Sequence, residues 1–153
     1  MTGKQSTILL VEDNPDDEML AQRAFRAFNK DTRQHCMAVA RDGLDAIRQV
    51  TDNGLPPALV LLDLNLPAAD GFEVLKAIRN HSPAATTPVV VLTSSSNSDD
   101  IARAYSLGAN SFITKPVDFN RFIEVVRELS EYWLVLNGNA GQHQQPGTKP
   151  SAE

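Results

Sequence analysis

A chain of 153 residues, 42% of them hydrophobic, suits one compact domain with a short appendage and leaves too little for a second folded unit. Its net charge of -5 disfavours nonspecific attraction to polyanions, which requires clustered Lys and Arg, so nucleic acid is not an expected direct partner. With Cys36 as the single cysteine an internal disulfide is impossible, no Cys/His spacing suggests zinc, and a reducing cytoplasm is the expected setting.

Residues Met1 to Thr7 lead into the run Ile8-Leu9-Leu10-Val11, far shorter than a signal-peptide core or the roughly 20 apolar residues of a membrane span, so no membrane association is expected. That run reads as a first strand. Asn14-Pro15-Asp16-Asp17-Glu18 then starts a helix, with Asn14 as cap, Pro15 in the first turn and acids that complement the helix dipole; it should end near Phe28. Gln34 to Ala40 reads as a second strand, Asp42-Gly43 as a turn and Leu44 to Val50 as a second helix, closed by Asp52-Asn53-Gly54 and Pro56-Pro57. A third strand covers Ala58 to Asp63, and a loop from Leu64 to Ala69 leads to Asp70-Gly71 and a helix from Phe72 to Asn80. Ser82-Pro83 and Thr87-Pro88 bracket a connection to a fourth strand, Val89 to Thr93. Ser98 or Asp99 can cap the next helix, Gly108 can end it, and Asn110 to Thr114 gives a fifth strand.

A last helix is expected from Asp118 to about Leu136, with Phe119, Phe122, Ile123, Val126, Ser130 and Trp133 on the face that covers the sheet. Val125, Leu129, Tyr132 and Leu136 form an adjoining apolar stripe wider than a surface helix needs, which predicts a covering partner. Residues 137–153, rich in Gly, Gln and Pro, are expected to be a disordered tail after a domain spanning 1–136. Alternation of strand and helix through five pairs predicts an α/β fold, a doubly wound five-stranded parallel sheet with helices on both faces.

In such a sheet the carboxyl ends of the strands share one edge, where open α/β sheets bind ligands. Glu12 and Asp13 follow the first strand, Asp63 ends the third, Thr93 ends the fourth and Lys115-Pro116 follows the fifth. Three acids brought that close repel one another unless a cation intervenes, and a small set of hard oxygens suits Mg2+. Asp13 and Asp63 are the expected direct ligands, with Glu12 acting through water. A carboxylate beside a metal can attack phosphorus, so Asp63 is the expected nucleophile, with Lys115 and Thr93 serving the phosphoryl oxygens. No histidine adjoins the cluster, so the phosphoryl group must come from outside. Taken singly, the acids from Asp16 to Glu18 read as a solvated first turn, Asp70-Gly71 as a helix start and Cys36 as a small buried hydrophobe.

This order of Glu12-Asp13, Asp63, Thr93 and Lys115-Pro116 resembles the receiver domain of two-component response regulators, over about residues 6 to 130. The resemblance implies the flavodoxin-like receiver fold, a single-domain regulator phosphorylated on Asp63 by a sensor histidine kinase, and metal ligation by Glu12, Asp13, Asp63 and the main-chain carbonyl of Asn65. It implies signalling by protein interaction or onward phosphotransfer, with no enzymatic turnover beyond its own phosphorylation and dephosphorylation. It further implies a switch through Thr93 and Phe112 and a cis Lys115-Pro116 bond. Phe112 stands where many members of the family have tyrosine, so its position can be reported only by packing. Asn14-Pro15-Asp16-Asp17, the loop from Asn80 to Pro88, Asn97-Ser98-Asp99-Asp100 and Glu131-Tyr132-Trp133-Leu134 are similar to regulators paired with bacterial phytochrome kinases. That likeness implies a phytochrome kinase as partner and a homodimer through the face of the fourth helix, fifth strand and fifth helix, including Val125, Leu129, Tyr132 and Leu136. The alternative is a magnesium-dependent phosphohydrolase of the haloacid dehalogenase type, which usually needs an acid two residues past the nucleophile. Asn65 stands there, and an amide is no general acid. Residues beyond the receiver are too few and too polar for a helix-turn-helix.

Overall fold

The computed structural model describes residues 6–30, 35–52 and 55–136. Five strands, β1 (Ser6–Val11), β2 (His35–Ala40), β3 (Leu59–Leu62), β4 (Val89–Thr93) and β5 (Ser111–Thr114), alternate with α1 (Pro15–Asn29), α2 (Gly43–Asp52), α3 (Gly71–Asn80), α4 (Ser98–Ser106) and α5 (Phe119–Glu131). All neighbours pair in parallel, in the order β2-β1-β3-β4-β5. The order reverses between β1 and β3, which makes the ends of those strands the place for a ligand crevice. The expected start of the second strand at Gln34, the Asn53-Gly54 stop and the 137–153 tail lie outside the described residues.

Alternation along each strand divides the core into two layers. Leu9, Val11, Val60, Leu62, Val89 and Val91 face α2, α3 and α4, packing on Val50, Phe72, Leu75, Ile78 and Ala104. Ile8, Leu10, Leu59, Leu61, Val90 and Leu92 face α1 and α5, packing on Leu20, Phe25, Phe122 and Val126. β3 and β4 are buried on both faces, which is why they are continuous aliphatic runs.

The helix starts are fixed by side-chain caps. Asn14 Oδ1 accepts from Asp16 N and Asp17 N at 2.8 and 3.1 Å. Asp70 and Glu73 form a reciprocal capping box on α3. The cap of α4 is Asn97, whose Oδ1 accepts from Asp99 N at 2.7 Å, rather than Ser98 or Asp99. Gly71 sits so close to the third strand end that a Cβ there would lie 2.5 Å from Asp63 O and 2.6 Å from Leu64 Cα, so α3 presses directly on the backbone that carries Asp63. Arg79, at the end of α3, donates to the carbonyls of Gly108, Ala85 and Thr87, tying together the loops on either side of β4 and α4.

Several expectations are corrected. Phe119 is 67% exposed because the first residue of α5 projects past the sheet. Past Glu131 the chain passes into a π-helical turn, Tyr132–Leu136, in which Leu134 is buried, while Trp133, partly buried, packs against the α1–α5 layer as expected. Cys36 is exposed, since β2 is an edge strand, and its Sγ lies 3.4 Å from Thr7 Oγ1. The Lys115-Pro116 bond, expected to be cis, is trans. At the opposite edge, Phe112 is half-buried against the α2–α4 layer, and its outward amide donates to the Tyr105 hydroxyl of α4 at 3.1 Å.

Candidate functional site

Strand pairing continues one residue past the strand ends and so delivers the site. Glu12 N donates to Ala40 O, Asp63 N to Val11 O and Lys115 N to Thr93 O, at 2.9, 3.1 and 2.7 Å. The side chains of Glu12, Asp63, Thr93 and Lys115 thereby meet on one edge. Asp63 is buried, and both of its oxygens are engaged: Oδ1 accepts from Thr93 Oγ1 at 2.7 Å, and Oδ2 from Lys115 Nζ at 3.1 Å. The same ammonium lies 2.8 Å from Glu12 Oε1 and 2.8 Å from Asp17 Oδ2.

Asp17 is the residue that sequence reasoning missed, having been placed in a solvated first turn. Its signal was spacing: it stands four residues after Asp13 at the start of the helix that leaves β1, so one turn brings it back over the strand edge.

Glu12, Asp13 and Asp63 each offer a carboxylate oxygen, and these oxygens lie within 4.8 Å of one another. Asp13 is exposed at the mouth, where an open cleft is lined by Asp13, Asn65, Pro67, Asp70 and Asp100. Asn65 is exposed, and its backbone N–H donates to Asp63 Oδ1 at 3.3 Å. Hard oxygens converging without soft ligands fit a divalent ion such as Mg2+, held by Glu12, Asp13 and Asp63 with the remaining positions filled by water or backbone oxygen. Ser95, beyond Thr93, donates to Asp100 Oδ2 at 2.8 Å and so stands beside that cleft.

Electrostatics fit the same purpose. Burial pushes the Glu12 carboxyl up from 4.5 to about 7, and the charge of Asp63 adds to the rise, against the Lys115 ammonium and the Asn14 amide. Lys115 also meets a burial penalty, but its bonds to Asp17 and Glu12 and the charge of Asp63 outweigh it and hold the ammonium protonated. Above its unfolded value the Glu12 carboxyl keeps a proton in the folded chain that the unfolded chain has lost, so stability falls as pH rises from 4.5 to about 7. Urea midpoints without metal should show that decline, on the order of a few kcal/mol. Glu12→Gln should flatten it, and saturating Mg2+ should reverse it.

Comparison with known proteins extends this geometry. The family model described as the response regulator receiver domain matches residues 8–127. A curated relative, the probable methanogenesis regulatory protein FilR2 of Methanothrix harundinacea, is 42% identical over 135 residues, spanning 88% of this chain and 87% of the relative. The structure of the phosphorylated cyanobacterial phytochrome response regulator RcpA is similar with a TM-score of 0.80 and 38% identity, over 87% of this chain and 96% of that one. The Mn(2+)-bound form of response regulator Rcp1, a Synechocystis protein, gives a TM-score of 0.77 at 37% identity, over 85% and 95%.

Proposed function

Because this chain belongs to the response regulator receiver family, we propose that it is a single-domain signalling phosphoacceptor, charged on Asp63 by a sensor histidine kinase, with a phytochrome as that kinase. The observation that carries the reading is the buried Asp63 carboxylate with the Thr93 hydroxyl on one oxygen and the Lys115 ammonium on the other, beside Glu12 and Asp13. One Asp63 oxygen attacks phosphorus in line: an O–P bond forms, the P–N bond to the donor imidazole breaks, and the electron pair stays on the ring nitrogen, which takes a proton from solvent. Lys115 meets one developing negative oxygen as a point charge, and the Thr93 hydroxyl turns from the carboxylate to donate to another. A bound Mg2+ would neutralise charge on the phosphoryl oxygens, held by Glu12, Asp13, Asp63 and the Asn65 carbonyl. Water later attacks the aspartyl phosphate and restores the carboxylate, so the chain turns over only its own phosphoryl group.

The absence of an acid at Asn65 weighs against a phosphohydrolase. Withdrawal of the Thr93 hydroxyl opens space beside β5, and Phe112, already half-buried against the core, is the side chain placed to fill it. Output then runs through the α4, β5 and α5 face to a protein partner or through onward phosphotransfer. We place the chain in the cytoplasm beside its donor, where a single exposed thiol suits a reducing medium. Among the described residues no helix is long and apolar enough to cross a membrane.

The test is phosphotransfer from a panel of sensor kinases with Mg2+, phytochrome kinases included. Label should pass from at least one phytochrome kinase and stay away from unrelated kinases.

A homodimer on the same face belongs to this reading. A groove between β5 and α5 is lined by Ile113, Leu129, Tyr132 and Trp133, with buried Val125 at its floor and Leu136 exposed beyond it. Tyr132→Ser, at a half-exposed position, should lower the mass found by light scattering from that of two chains to one, with the melting curve little changed. A mass that does not move removes this groove from the dimer reading.

A further inference from the structure

Lys115 spends its three N–H donors on three carboxylates, and these carboxylates are not equivalent. Glu12 and Asp63 belong to the set whose oxygens converge within 4.8 Å as a cation site; Asp17 does not. A divalent ion and an incoming phosphoryl group make claims on Glu12 and Asp63, but neither makes a claim on Asp17. Asp17 is also held in place by local structure. It stands in the first turn of α1, where Pro15 opens the helix and the Asn14 side chain holds the Asp16 and Asp17 amides.

We propose that Asp17 is a positioning residue for phosphoryl transfer: it holds the Lys115 ammonium over Asp63 when Glu12 and Asp63 have been taken up by the metal and the phosphoryl group. The proposal rests on the phosphoacceptor reading above. The ammonium sits on a flexible four-carbon stem, so its position is set by what it bonds. With the metal in place, Asp17 is the remaining carboxylate within 2.8 Å that can fix it. A charge that must meet a phosphoryl oxygen contributes most when it is already in place, and a displacement of about 1 Å can cost as much as a hundredfold in rate.

The sign of the effect separates this role from a plain electrostatic one. Removing a negative charge close to the site should, by repulsion alone, favour an anionic phosphoryl donor. Loss of an anchor for Lys115 should instead slow transfer. The experiment uses the whole chain with saturating Mg2+ and acetyl phosphate as donor, and follows the rate of Asp63 phosphorylation against donor concentration. Asp17→Asn should lower the maximal rate constant by about tenfold while the half-saturating donor concentration stays within about twofold. An unchanged or faster maximal rate would overturn the role, as would a loss confined to donor half-saturation. A second measurement needs no variant: in a crystal structure of the Mg2+-bound wild-type chain, Lys115 Nζ should keep its hydrogen bond to Asp17, and an ammonium found away from Asp17 would overturn the role. A wild-type chain that takes up no phosphoryl group removes the functional reading itself; normal uptake with an unslowed Asp17→Asn removes only the role given to Asp17.

Discussion

Asp63→Asn is expected to take up no phosphoryl group from any kinase or small donor, under conditions in which the wild-type chain labels fully. The amide keeps the shape of the side chain and can still accept the Thr93 hydroxyl now 2.7 Å from Oδ1, so the fold should persist. What it loses is the nucleophile, because an amide oxygen attacks phosphorus far more weakly than a carboxylate and gives no stable acyl phosphate. Glu12 is not placed to substitute, since the Thr93 hydroxyl that serves the phosphoryl oxygens bonds to Asp63 and not to it. Asp13 is exposed at the mouth and lacks the hydrogen bond from Thr93 that Asp63 has. Acid-labile label on Asp63→Asn, seen by gel or intact mass, would move the acceptor elsewhere and with it the whole assignment.

Lys115→Met should produce the largest change in stability. The ammonium is nearly buried, with 10% of its side chain exposed, and it compensates Glu12, Asp17 and Asp63, whose side chains are 4, 23 and 7% exposed. Removing one partner of a buried ionic cluster leaves uncompensated charge and costs on the order of 3–5 kcal/mol without metal. The sign of its pH dependence follows from Glu12. Its carboxyl already stands near 7 with Lys115 present, and without the ammonium it must rise further, so protonation relieves the variant as pH falls. Urea unfolding should therefore find the deficit larger at pH 8 than at pH 6, and smaller in saturating Mg2+, because a divalent ion restores positive charge to the same oxygens. An equal deficit at both values with no response to Mg2+ would mean that the lysine acts through packing of its stem.

The fold was legible because β1, β3 and β4 are short aliphatic runs bounded by turn residues, and β4 falls where periodicity placed it, at Val89–Thr93. The meeting of Glu12, Asp63, Thr93 and Lys115 was legible for a topological reason: parallel strands put their carboxyl ends on one edge whatever the loops do. Less could be read where a side chain's fate depends on a neighbouring element. Asp17 looks like an ordinary dipole-compensating acid until the path of α1 carries it to Lys115. Cys36 looks like core until β2 proves to be an edge. Helical period misplaced Phe119 because it carries no information about where a helix overhangs its sheet, whereas Trp133 packs against the core layer it was assigned to. Tyr105 drew no notice at all, since a bond from a helix hydroxyl to a strand amide seven residues on has no sequence signature.

That bond bears on how copies of the chain can meet. A bare outer strand is a template on which a foreign strand can add, and proteins guard such borders against runaway stacking. Here the Tyr105 hydroxyl already occupies the outward amide of Phe112, so a newcomer cannot zip onto β5 without first displacing that hydroxyl. If copies associate as proposed, over β5 and α5, that contact would run through side chains, which can be reversible, rather than through backbone templating, which grows without limit.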